Sequence, residues 1–330
     1  MRMSKNLSAL FFKEGSVLMC KIYAKTKDIS REEWLKLRKN GIGGSDAGAV
    51  CGLNPYRSAM DIFIDKTTDD ISDYDNEAMK QGRDLEDYVA QRFCEATGLK
   101  VRKSNAMYVH KEHPFMLADV DRLIIGENAG LECKTASPYS ADKWKDGQIP
   151  AHYLAQCYHY MVVLDMDAWY IAVLIYGKEF KYIRLERDEE IITNLIHIED
   201  EFWNEQVLKG KMPHPDGSDS TDEFINTYFC SSTAEKSIPL IGFDTKLKRR
   251  EEITELIDKL TTEKKQIEQE VKTYMQDAET AEDDNFFISW KSVISNKIDT
   301  SRLKLELPEV YKQFLKPSTS RRFSVKAITV

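Results

Sequence analysis

Long apolar runs are missing from this sequence. A membrane-crossing helix needs about 20 consecutive apolar residues, and the early run Leu7–Phe12 is cut by Lys13 and Glu14, too short even for the apolar region of a signal peptide. Cysteine is scarce and scattered. Cys20, Cys51, Cys94, Cys133, Cys157 and Cys230 show no paired spacing, which argues against a zinc site or a disulfide framework. No cluster follows Cys230 to hold an iron–sulfur centre. Reduced thiols in a cytoplasmic protein are the expectation, with no membrane contact. Positive charge is also short: 47 Lys and Arg face 55 Asp and Glu, a net charge of -8. That argues against a broad, open nucleic-acid-binding face. A confined channel with local positive charge around its carboxylates remains open.

What the chain does have is size and an ordinary balance. Its 330 residues are 42% hydrophobic and 31% charged, enough for one large domain with a real core plus a smaller one. The stretch that carries chemistry is MLADVDRLIIGENAGLECKTAS, Met116–Ser137, which reads as two strands joined by a turn bounded by Gly126 and Gly130. Side chains alternate faces along a strand. Glu132 and Lys134 therefore share one face, with Leu131 and Cys133 on the other. On the first strand Asp119, Asp121 and Leu123 share a face, with Val120 and Ile124 behind. The hairpin brings an Asp and a Glu together with a Lys one pleat further along. Hard cations such as Mg²⁺ take carboxylate oxygens. A cation there lowers the pKa of a water, and a neighbouring Lys can hold that water as the ammonium or deprotonate it as the free amine. The same Glu-x-Lys spacing recurs at Glu179, Glu263 and Glu270, so the pattern alone describes a solvated strand face equally well. Context decides.

That context begins with Ser30-Arg-Glu-Glu33, a capping box opening a helix through Trp34 and Arg38. The helix runs into a turn with Gly41, Gly43 and Gly44, where Ser45 and Asp46 could cap a short helix Asp46–Cys51. Such a turn is either an anion site with Arg38 seven residues before Ser45, or a corner whose glycines allow close packing. Residues 57–79 read as a helix followed by an acidic loop, Asp69–Asp75. In the next helix Leu85, Val89, Phe93 and Ala96 make an apolar stripe, with Glu86 at its edge and Gly98 as its stop. Beyond the hairpin, IPAHYLAQCYHYMVVLD reads as a long buried helix with Gln156 on an apolar face, a polar group that must find a partner. Residues 167–177 and 178–186 form a second hairpin, and Asp188–Gly210 an amphipathic helix. A polar stretch, 213–239, reads as a linker or mobile loop. Thr245–Met275 is a long charged helix with Ile253, Leu260, Ile267 and Tyr274 one heptad apart. Most of its intervening inner positions are polar or charged, so it reads as packing on its own domain rather than as a coiled-coil dimer. The strands FFISWKSV and SRRFSVKAI flank a helical segment at Pro308–Leu315 in a basic tail.

Taken together, Arg38…Gly-Ile-Gly-Gly-Ser45, Gly-Arg-Asp-Leu-Glu86, Asp121-Arg-Leu, Gly-Leu-Glu132-Cys-Lys134 and Tyr-Leu-Ala-Gln156 occur in one order at compact spacing. In this the chain resembles the YqaJ-type viral recombinases and lambda-exonuclease-like nucleases of the PD-(D/E)XK superfamily, over residues 30–205. The resemblance implies an α/β (α+β) fold. Its core would be restriction-endonuclease-like, a central mixed β-sheet flanked by helices, with a helical and β-hairpin extension at the C-terminus. The chain is expected to divide into an N-terminal extension 1–29, a nuclease core 30–212, the linker or mobile loop 213–239 and a C-terminal part 240–330 with a long helix and a small strand pair. The implied activity is 5′-to-3′ digestion of duplex DNA ends, leaving 3′ single strands, with two Mg²⁺ or Mn²⁺ ions. Asp121, Glu132, the carbonyl of Cys133 and Glu86 would surround the metal, and Lys134 would orient or deprotonate the water. Arg38 and Ser45 would hold the 5′-phosphate, and Gln156 would support the site. Asp119 competes with Asp121 as ligand, and Val120 stands where the superfamily's name has Pro. The implied partners are double-stranded DNA ends, a homo-oligomeric ring (trimer or tetramer) and a single-strand annealing protein. The implied location is a bacterial host cytoplasm, the gene being carried by a phage or prophage. An endonuclease of the same fold and a non-catalytic DNA-end-binding factor are the alternatives.

Overall fold

The computed structural model describes residues 20–70, 75–318 and 320–326. The start of the N-terminal extension and most of the acidic loop lie outside the described residues. The chain divides into two compact units, one ending at Cys230 and one beginning at Ser231.

The first unit opens with strand β1 (Cys20–Lys25) and helix α1 (Arg31–Arg38). The Ser30–Glu33 capping box is formed in both directions: Ser30 Oγ accepts from the Glu33 amide and Glu33 accepts from the Ser30 amide. A two-residue strand β2 (Ile42–Gly43) leads into α2 (Gly44–Val50), followed by α3 (Ala59–Thr67), α4 (Glu77–Thr97) and the strands β3 (Val101–Lys103) and β4 (Ala106–His110). Then come β5 (Met116–Asp119), β6 (Arg122–Ile124) and β7 (Ala129–Ala136). Short 3-10 turns over Pro138–Gly147 lead to α5 (Ala151–Leu164), the hairpin β8 (Ala168–Ile175) and β9 (Glu179–Glu186), α6 (Glu189–Glu201) and α7 (Asp219–Tyr228). The last turns of α6 run on as a π-helix, Phe202–Val207.

The fold is mixed α/β. A five-stranded sheet of order β3-β6-β7-β8-β9 is antiparallel except for the parallel pair β7–β8. Its two faces carry different cores, as alternation along β8 requires. Tyr170 and Ala172 join Val89 and Phe93 of α4, while Trp169, Ile171 and Val173 join Cys157, Met161 and Leu164 of α5. Leu131 lies on the α4 side.

The expected central hairpin has one correction. Its first strand is not continuous: β5 pairs in a second, four-stranded sheet of order β1-β4-β5-β2, and β6 pairs with β7. The chain changes sheets at Val120–Asp121. Alternation therefore does not carry through, and Val120 falls in the same core as Leu123 rather than beside Ile124. The short helix also starts earlier than Asp46. Gly43 is its N-cap, with Asp46 at the third helical position reaching back to the Gly43 amide. Early entry brings Gly44 and Gly48, one turn apart, against α5. A Cβ on Gly44 would stand 2.4 Å from the Tyr160 ring, and one on Gly48 would stand 2.7 Å from His152. Close packing is one reason for these glycines.

The stretch 213–239 is not wholly a linker. It contains α7, whose Phe224 is buried, and the first unit runs on to Cys230 instead of ending at Met212. The second unit has the helix α8 (Asp244–Met275), a hairpin of β10 (Thr280–Glu282) and β11 (Phe287–Ser289), and the helices α9 (Thr300–Glu306) and α10 (Pro308–Gln313). β11 pairs with β10, a strand not anticipated, and no strand forms over 320–326. Along α8, Ile253, Leu256, Ile257, Leu260 and Ile267 are exposed, which corrects the expectation of a helix packed on its own domain.

Candidate active site

The parallel pairing of β7 with β8 and the passage of α5 across that face set the first half of the site. Glu132 is 3% exposed, although it is a carboxylate. Its Oε1 accepts from Lys134 Nζ at 2.6 Å and from Gln156 Nε2 at 2.7 Å. The Gln156 carbonyl oxygen accepts from the same ammonium at 3.1 Å, and its amide also donates to the Tyr160 hydroxyl at 3.0 Å. Lys134 lies 4.6 Å from the centre of the Tyr153 ring. The other oxygen, Glu132 Oε2, is buried with no partner among the described residues.

Asp121, at the crossing between sheets, accepts from the Cys133 amide through Oδ2 at 2.8 Å. Burial, then the charges of Glu132 and Glu86, push its pKa well above the usual carboxylate range. Burial also raises Glu132, with Lys134 pulling the other way. Burial would lower Lys134, but Glu132, Tyr153 and Asp121 outweigh it and the ammonium is held protonated. Crowded carboxylates short of positive charge are what a divalent cation relieves. The orphaned Glu132 Oε2 is a donor atom for it, so these residues fit such an ion. The Cys133 thiol is held far above its usual range by burial and by Asp121 and Glu132, and is inert.

Glu86 stands differently. Its carboxylate accepts from Arg122 at 2.5 Å, with Lys103 at 3.9 Å, while Asp87 takes the other arm of the Arg122 guanidinium. Among the described residues no three His, Cys, Asp or Glu side chains stand together as a ready metal cage. Asp119 is also engaged elsewhere, accepting from the Trp34 indole at 2.5 Å.

The second half of the site is built by α1 and α2. Arg38 donates to Ser45 Oγ at 2.6 Å and to Asp46 at 3.2 Å, and its guanidinium lies 4.9 Å from the centre of the Trp34 ring. Asp46, 1% exposed, also takes Lys66 at 2.9 Å and Arg57 at 3.5 Å. Burial raises its pKa, but Lys66, Arg38 and Arg57 more than reverse this and hold it far below the usual range. The α2 amide end is thus occupied by the chain's own carboxylate, and the groups left to meet an anion are Arg38, Ser45 and Arg57. Sequence reading took Asp46 only as a cap and missed Arg57 and Lys66 here. It also missed the buried pair His159–Glu199, where Nδ1 meets Oε1 at 2.8 Å and Nε2 meets the Leu117 carbonyl at 2.8 Å. Lys66 carries no local signal, since a Lys near the end of a short helix reads as surface. His159 lies three residues from Gln156 on a helix already identified as buried, which could have pointed to it.

The fold and this centre define a mixed α/β protein in which Glu132-x-Lys134 on a parallel strand pair meets Asp121 at the crossing between sheets, backed by a basic corner. The chain belongs to the YqaJ-like viral recombinase domain family, whose pattern matches residues 33–167. It is 39% identical over 312 residues to an uncharacterized protein YqaJ of Bacillus subtilis (strain 168), covering 93% of this chain and 98% of that one. Among solved structures it is similar to an alkaline exonuclease from Laribacter hongkongensis, with 20% identity, 55% of this chain and 94% of that chain covered, and a TM-score of 0.47. A phage related exonuclease from Haemophilus somnus 129PT shows 12% identity over 52% of this chain and 96% of that chain, with a TM-score of 0.41. No helix among the described residues is long and apolar enough to cross a membrane.

Proposed function

We propose that the protein is a divalent-cation-dependent deoxyribonuclease, an exonuclease that digests linear duplex DNA from 5′ ends and leaves 3′ single strands for recombination. The observation that carries this reading is the half-satisfied Glu132 carboxylate, buried beside Asp121 and braced by Lys134 and Gln156. A buried, unpaired carboxylate oxygen costs about 1–3 kcal/mol or more, and a cation turns that cost into a binding site. Asp121 and Glu132 would hold Mg²⁺ or Mn²⁺, with Glu86 as an outer carboxylate. When bound, the ion supplies positive charge that acidifies a water and offsets phosphate charge. Lys134 keeps its proton, so its part is to donate a hydrogen bond that orients the water or a phosphate oxygen. Gln156 fixes the Glu132 rotamer through Oε1 and leaves Oε2 free. Arg38 and Ser45 stand ready for a terminal 5′-phosphate, which favours end-directed action. The family's description as a viral recombinase domain supports a place in recombination, and a single-strand annealing protein is the partner this reading assigns.

The test is one gel. Linear duplex labelled at either end is incubated beside closed circular DNA, with and without Mg²⁺. Loss of the 5′ label first, only with Mg²⁺ and only on the linear form, is the expected result. Nicking of the circle would replace the exonuclease by an endonuclease, and no cleavage with any divalent cation would remove the nuclease.

A further inference from the structure

Resting on the reading of Arg38 as the group that meets a 5′-phosphate, a buried lysine behind it has a part of its own. Lys66, on α3, is 1% exposed at its side chain, and its ammonium donates to the Arg38 carbonyl at 2.9 Å and to Asp46 Oδ2 at 2.9 Å. Asp46 is the single carboxylate on which Arg38, Arg57 and Lys66 converge. The neighbouring Asp65 lies between Lys66 at 3.3 Å and Lys39 at 3.7 Å, so cations outnumber carboxylates at this corner. Arg57 is 42% exposed at its side chain and stands off at 3.5 Å, whereas Lys66 is locked inside.

The arrangement poses a problem for anion binding. An arginine that neutralises a buried Asp is not free to neutralise a ligand, because releasing it would leave the carboxylate uncompensated, at a cost of several kcal/mol. We propose that Lys66 is a positioning residue that removes this conflict. It stays on Asp46 while the guanidinium groups of Arg38 and Arg57 turn from Asp46 to a dianionic terminal phosphate. Ser45, exposed and already on Arg38, adds a hydroxyl to the same pocket. Lys66 itself never reaches the ligand. Its hold on the Arg38 carbonyl also fixes the backbone from which that side chain swings.

The test uses the full chain in EDTA, measuring by fluorescence anisotropy its affinity for short duplexes bearing either a 5′-phosphate or a 5′-hydroxyl. Lys66→Met leaves Asp46 with the two arginines alone, so the phosphate preference should fall about tenfold, the worth of one charge-assisted hydrogen bond. The double change Asp46→Asn with Lys66→Met removes the competing carboxylate, and the preference should return. A lysine that only supports the fold would weaken both duplexes alike and leave their ratio at the wild-type value. That ratio in Lys66→Met, or a double variant as indiscriminate as the single one, overturns the proposal. Lys66→Gln, which keeps a donor without charge, is held to the same outcomes should the Met variant fail to fold. Arg38→Ala separates the two levels. If it loses the preference and the lysine variants do not, only the part assigned to Lys66 fails. If wild type shows no preference at all, the reading of Arg38 fails and takes this one with it.

Discussion

Glu132, itself almost closed to solvent, has one oxygen held by two donors and the other held by none among the described residues. Replacing it by Gln keeps the shape and removes the charge. Glu132→Gln is expected to abolish cleavage while duplex binding in Ca²⁺ survives, read by the gel above and a mobility shift; turnover at the wild-type rate would refute the assignment of Glu132 to the ion. Asp46 gives a second prediction at this scale. Its folded pKa lies below the ordinary 3.8, so its ion pairs stabilise the fold fully above that pH. The contribution is lost as pH falls from 3.8 toward the folded value. Asp46→Asn leaves Lys66 buried beside a neutral partner and should cost about 3–5 kcal/mol near neutral pH. The difference in melting temperature between wild type and variant should then narrow below pH 3.8, a trend that thermal scans across pH would show. A constant difference would mean that Asp46 is not titrating as its partners require.

Among the elements, the contact of α2 with α5 joins the two halves of the site. Gly44 touches the Tyr160 ring, and the Tyr160 hydroxyl accepts from Gln156, which in turn holds Glu132. Gly44→Ala puts a methyl group where no real contact is tolerated, so α2 or Tyr160 must shift. Overpacking of this kind costs about 1–3 kcal/mol. The variant should melt lower and lose activity together, whereas a variant that melts lower with full activity would show that the contact serves stability alone. The switch of sheets at Val120–Asp121 is the other decision at this scale. It parts Asp119, bound to Trp34, from Asp121, bound to the Cys133 amide. One strand of alternating residues would have placed both on one face; the break assigns them to different neighbours.

For the whole molecule, the two units divide the work in a way that can be tested by truncation. Every candidate site residue lies before Ser231, and the buried apolar clusters lie there too. A fragment ending at Cys230 is expected to keep its secondary structure by circular dichroism and to cleave, with shorter tracts per binding event. Product lengths unaltered by removal of residues 231–330 would deny the second unit any part in holding DNA. α8 is charged and exposed along nearly its whole length, with only Met275 buried.

Unlike α7 and α9, the helices α1, α3, α4, α5, α6 and α8, the strand pair around Glu132 and the shared face of Glu132 and Lys134 were legible in the sequence. They depend on capping chemistry, on period 3.6 and on period 2, all of which act between residues close in the chain. The same local rules could not see that β5 and β6 belong to different sheets, or that α2 begins at Gly44 to let Tyr160 approach. Nor could they show that Asp46 gathers Arg38, Arg57 and Lys66, or that Glu86 rests on Arg122. Each of those outcomes is a choice among partners distant in sequence. It is made by burial, which forces every charge taken from water to find its complement wherever the fold has brought one.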